Sequence, residues 1–64
     1  MSSRAQSEWE RYVSKNQNIP ADRKQANTAN LRWFLRSATA LVKNDPNKDG
    51  MISVAQQALN ELED

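Results

Sequence analysis

The stretch DPNKDGMISVAQ, residues 45–56, decides how the last part of this 64-residue chain is built. Oxygen-bearing side chains recur at Asp45, Asn47, Asp49 and Ser53, and the only glycine of the chain, Gly50, stands among them. Two readings compete. Asp-Pro and Asp-Gly are turn dipeptides, an aspartate can close an Asx-turn on its own backbone, and glycine can take positive φ. The same alternation would also aim several oxygens into one tight loop, as a hard cation requires. Either reading starts the following helix at Ser53, an N-cap with Gln56 three residues on to complete a capping box.

Upstream lies LRWFLRSATALVKN, residues 31–44, the most regular segment of the chain. Leu31, Phe34, Leu35, Ala38, Leu41 and Val42 form one apolar helical stripe, from which Trp33 departs by roughly a third of a turn. Lys43 and Asn44 suit the helix end. This is expected to be the central helix, packed on both neighbours. Before it, Pro20 pushes Ile19 towards an extended conformation and itself suits a first helical turn. Residues 20–44 therefore make one long helix, or a short helix, a break near Asn27 and Thr28, and a long helix with Thr28 as its cap. Further upstream, Ala5, Trp9, Tyr12 and Val13 share a face of a helix spanning residues 3–16, with a later start possible at the Ser7–Glu10 capping box.

After residue 53, Ala55, Ala58, Leu59 and Leu62 share a helical face, and Val54 can join it. Glu61, Glu63 and Asp64 crowd the end, where negative charge opposes the helix dipole, so fraying is expected unless a basic neighbour compensates. No strand alternation occurs. The fold class is all-α: a small bundle of three or four helices forming a single domain over residues 1–64, with an EF-hand-like helix–loop–helix in its C-terminal half.

Composition removes whole classes of function. Cysteine and histidine are both absent. There is no disulfide to reinforce a small core, no soft or imidazole zinc ligand, and no Ser/His or Cys/His catalysis. An enzyme is not expected. No run of about 18 apolar residues exists to span a membrane. The first residues carry no apolar signal core, so the default compartment is cytoplasmic. Net charge is only +1 but unevenly spread: residues 1–44 hold eight Lys/Arg against three Asp/Glu, giving +5, and residues 45–64 hold one lysine against five acids, giving −4. Such asymmetry steers partners unless the two halves lie against each other.

Residues 45–56 also resemble the calcium loop of EF-hands and the related loops of dockerin-like repeats. Asp45, Asn47 and Asp49 fill the first, third and fifth places, Gly50 the sharp-turn place, Met51 the backbone-carbonyl place and Ser53 the ninth. The resemblance implies a Ca²⁺ site with Asp45, Asn47, Asp49, Met51, Ser53 and Gln56 as ligands. It departs at the last ligand, where the family's bidentate glutamate is replaced by Gln56, so weak binding is implied. A second constellation is the basic, aromatic-containing region 23–36, where Arg32, Arg36 and Trp33 are the candidate partner-binding residues. The function expected is a small non-enzymatic protein-interaction or regulatory module with another protein as partner. The alternatives are a DNA-associated regulator using residues 23–36, in which a short helix and a longer one imitate a helix-turn-helix, and an accessory subunit of a larger assembly, viral or bacterial. Oligomeric state is left open.

Overall fold

The computed structural model describes residues 3–64. They form three α-helices, α1 (Arg4–Ser14), α2 (Thr28–Leu41) and α3 (Lys48–Glu63), with one 3₁₀ turn (Ala21–Arg23) between the first two. No strand occurs among the described residues.

Helix α1 begins earlier than the Ser7 box would place it. Ser3 has extended backbone and its Oγ accepts the Gln6 N–H at 3.0 Å, which satisfies one of the free donors of the first turn. Its apolar face is the expected one, with Ala5, Trp9 and Val13 buried. The helix stops at Ser14, before the polar run that follows. There Asn16 Oδ1 accepts the Asn18 N–H at 2.8 Å, a local bond that competes with further helical pairing.

Residues 15–27 run back alongside α1. The Glu10 carboxylate accepts the Ala26 N–H at 2.7 Å, and Ile19 is buried beneath the segment. Pro20 starts a turn of only three residues, so no α-helix forms between α1 and α2, and the short helix that would open a helix-turn-helix over residues 20–36 is reduced to that turn. The break falls near Asn27 and Thr28 as the sequence suggests, but Asn27 is the cap: its Oδ1 accepts the Asn30 N–H at 2.8 Å. Asn30 is the single buried polar residue in the core region, and its amide donates to the carbonyls of Asp22 and Gln25 at 3.3 and 3.0 Å. One side chain thus ties the connecting segment to α2, with its own amide donors both satisfied.

Helix α3 corrects two expectations. It starts at Lys48, five residues before Ser53, and Gly50 lies inside it with no positive φ. Asp45 Oδ1 accepts the Asn47 N–H at 2.9 Å, an Asx-turn that reverses the chain early, and Asp49 then sits in the first helical turn, where the dipole favours an acid. The early start brings Met51 to the core, where it is 1% exposed. Met51, Val54, Ala55, Ala58 and Leu59 form the buried face. Ser53 is an exposed mid-helix residue, and Gln56 donates to Asn60 Oδ1 at 3.0 Å instead of capping anything.

The helix packed on both neighbours is α3, not α2. The Tyr12 hydroxyl lies beside Gly50, which brings the end of α1 to the start of α3. Arg32 is bonded to Glu63, which brings the start of α2 to the end of α3. Helix α3 therefore runs antiparallel to both. Helices α1 and α2 meet through Trp9 and Phe34, both fully buried, with ring centroids 5.6 Å apart at 77°, an edge-to-face pair. The Trp9 indole N–H has no hydrogen-bond acceptor among the described residues. Burying an indole gains about 4–6 kcal/mol by area, against about 1–3 kcal/mol for an unpaired donor, so burial prevails. The radius of gyration, 10.4 Å, is that of a close-packed chain of this length.

The Trp9–Phe34 contact yields a prediction. Phe34→Ala should remove about 3–5 kcal/mol, comparable to the whole stability of so small a domain. Thermal unfolding followed by circular dichroism should then show no cooperative transition. A sharp melt close to that of the wild type would mean that the core does not depend on this pair.

Candidate functional site

The six residues expected to hold calcium do not form one cage in this conformation. Asp45 lies in the connection before α3, half-buried and bonded to the Asn47 N–H. Asn47 precedes the first turn of α3 and its side chain caps nothing. Asp49, Ser53 and Gln56 share the exposed face of the helix, but the first and last are about 10 Å apart along its axis at 1.5 Å rise per residue. Calcium ligands stand about 2.3–2.6 Å from the ion. Met51 turns its side chain into the core, and its peptide N–H donates to Asn47 O at 2.9 Å within the helical ladder. Converging the six would require unwinding the start of α3 from Lys48 to Ile52, roughly one and a half turns. The alternation that resembles a calcium loop is here the start of a helix, and the apolar spacing of Met51 with Val54 and Ala55 is the signal that points to it.

The residues of the basic face are brought together more closely. Trp33 is half-buried and packs against the core edge. The Arg23 guanidinium stands over its ring, 5.1 Å from the centroid, a cation–π contact that fixes the indole. Arg32 Nε and Nη2 both donate to Glu63 Oε1, at 3.0 and 2.7 Å. This is the basic neighbour that the acidic end of α3 requires. The pair is exposed, with side-chain accessibilities of 55% and 43%, so its worth is below about 1 kcal/mol. Arg36, exposed and one turn beyond Arg32, makes no ion pair among the described residues. Arg23 was legible only as one more positive charge in the region. Its place over Trp33 depends on the 3₁₀ turn and Asn30, which sequence spacing does not show.

Two adjoining grooves open at the other end of the molecule, where the ends of α1 and α2 meet the connection to α3. The larger has a volume of about 640 Å³ and the smaller about 290 Å³, and both include Lys15, Asn16 and Asp45 in their walls. No helix of the described residues is long and apolar enough to cross a membrane.

Comparison with protein-family models, curated proteins and solved structures finds no match for this chain.

The helical state of Gly50 can be tested by one substitution. A Cβ there would meet the Tyr12 hydroxyl at 3.6 Å, an ordinary contact, and φ is not positive. Gly50→Ala should therefore stabilise the protein by about 0.5–1 kcal/mol, seen as a higher urea midpoint with unchanged slope. A calcium-type loop, with Gly50 at positive φ, gives the opposite sign.

Proposed function

We propose that this chain is a small, non-enzymatic helical-bundle module that binds another protein through the α2 face bearing Trp33, Arg32 and Arg36. One observation carries the reading. A tryptophan ring is left half-exposed on a helix face, held from one side by a cation, with an unpaired arginine one helical turn away. Trp and Arg dominate interface hot spots because they bury large areas and still make polar contacts. The ring also packs against the core edge, so it has less freedom to lose on binding than a fully solvated side chain, and more of the contact energy appears as affinity. The other large apolar side chains of the three helices are used in the core or lie against it, apart from the partly exposed Leu62.

Residual positive charge on this face also suits a nucleic acid, but the helix that would precede a recognition helix is reduced to a three-residue turn. The protein-binding reading is therefore preferred. Calcium adds nothing to this surface, and its binding at Asp45, Asn47 and Asp49 would compete with the folding of the first turns of α3.

The test compares the wild type with Trp33→Ala and Arg36→Glu, both checked for native helicity, in quantitative affinity capture of partners from the source cells. A hot spot predicts that a specific protein captured by the wild type is lost roughly thirty-fold or more with Trp33→Ala, as about 2 kcal/mol implies. Capture unchanged by both substitutions would reject this face. Capture of nucleic acid that falls steeply with salt would favour the DNA-associated alternative.

A further inference from the structure

The grooves around Asp45 carry a charge pattern opposite to that of a cation site. Arg11 and Lys15 project from α1 at i and i+4, Lys43 comes from the connection after α2, and Asp45 is the single carboxylate in either wall. The three cations are exposed and none is in an ion pair among the described residues. Asp45 is half-buried and already accepts the Asn47 N–H, so it is held in its turn and not aimed at a lysine.

A cation at a helix C-terminus is what the dipole alone selects, and Lys15 and Lys43 each meet that rule. Their convergence goes beyond it. Arg11 and Lys15 are a like-charged i,i+4 pair, unfavourable in isolation, and both line the smaller groove, while Lys15 also lines the larger one, where Lys43 adds a positive charge from another element. The rest of the wall is rich in side-chain amides. Asn16, Asn18 and Asn44 offer donors, and Asn16 and Asn18 are held by local bonds, Asn18 Nδ2 donating to Leu41 O at 3.4 Å. Three cations spread over two adjoining open grooves that share Lys15, with amide donors beside them, match an extended ligand with several regularly spaced anionic oxygens. No aromatic face lies open in the larger groove for stacking, so recognition would rest on charge and hydrogen bonds.

The geometry points to a phosphate-binding surface running across the two adjoining grooves between the end of α1 and the α2–α3 connection, with Arg11 in the smaller, Lys43 in the larger and Lys15 in both, and taking a phosphate-rich chain, either a free polyphosphate or a single-stranded nucleic-acid backbone. This site is distinct from the α2 face, and the two stand or fall separately. Asp45, the residue that would anchor a calcium loop, here opposes the ligand and limits its affinity.

Amide NMR titrations at low salt would use inorganic tripolyphosphate and, separately, a short oligothymidylate, with chloride at matched ionic strength as the blank. The expected result is saturable shifts confined to residues 11–18 and 40–47. Lys15→Gln and Lys43→Gln should each weaken binding roughly three- to ten-fold, the span between an exposed ion pair and a charged hydrogen bond. Asp45→Asn keeps an oxygen for the Asn47 N–H and removes the opposing charge, so it should strengthen binding. Arg4→Gln, at the opposite end of α1, matches the loss of charge and should change nothing. Binding of tripolyphosphate alone would assign a free polyphosphate. Competition by oligothymidylate, with a log–log salt slope of about −2 for three contacts, would assign a nucleic-acid backbone. Absence of saturable shifts up to millimolar ligand, shifts centred on residues 23–36, or equal weakening by Arg4→Gln would each overturn the proposal.

Discussion

Helix α3 is covered on two sides, and most of the architecture depends on how little room it takes there. Ala55 and Ala58 are fully buried along its middle, so the backbones of α1 and α2 can both come close to it. Larger side chains stand at the ends of that contact: Met51 near the start, and Leu59 towards the finish. The volume that the alanines leave is filled from outside by Trp9 and Phe34, which meet edge to face. A core of so few side chains tolerates little loss, since a 64-residue chain buries only about 60% of its unfolded surface. The early start of α3 follows from this. Without a helical turn before Met51, the largest apolar side chain of its N-terminal half would not reach the core.

The same arrangement redistributes charge. The +5 and −4 of the two sequence segments do not become two opposed faces. Running antiparallel to α2, α3 brings Glu63 to Arg32, and the acidic end of one segment is offset by the basic start of another. Two local patterns survive this mixing. One is the α2 face, where Arg23 stands over Trp33 and Arg36 makes no ion pair among the described residues. The other is the pair of adjoining grooves at the far end, whose walls together carry three cations and one carboxylate. The polar turn 45–47 serves structure first, through the Asp45 bond to the Asn47 N–H, and brings Asp45 into the groove wall as a consequence.

Helical periodicity carried the all-α class, the apolar faces of α1 and α2 and the break near Asn27, because each depends on residues within one or two turns of each other. The α3 face was visible from Ala55 onwards, but its start was misplaced. Ser53 and Gln56 have the spacing of a capping box, and Asp-Gly reads as a turn, so local turn chemistry outweighed the i, i+3, i+4 spacing of Met51, Val54 and Ala55. Tertiary burial of Met51 reverses that order. The central role of α3 was hidden because Ala55 and Ala58 look like weak contributors in sequence, whereas a helix shared by two neighbours needs small side chains there. The contact of Arg23 with Trp33 and the convergence of Arg11, Lys15 and Lys43 join residues distant in sequence, and nothing in linear spacing marks them.

The most direct test of this account is amide hydrogen exchange across residues 46–54 of the metal-free protein. If α3 begins at Lys48, the Met51 amide, bonded to Asn47 O at 2.9 Å, and the amides that follow it should exchange slowly, with protection approaching that of the core residues Ala55 and Ala58. Rapid exchange through residue 53, with protection appearing only afterwards, would contradict it. Residues 45–53 would then be the open loop suggested by their turn dipeptides, and Met51 would not belong to the core.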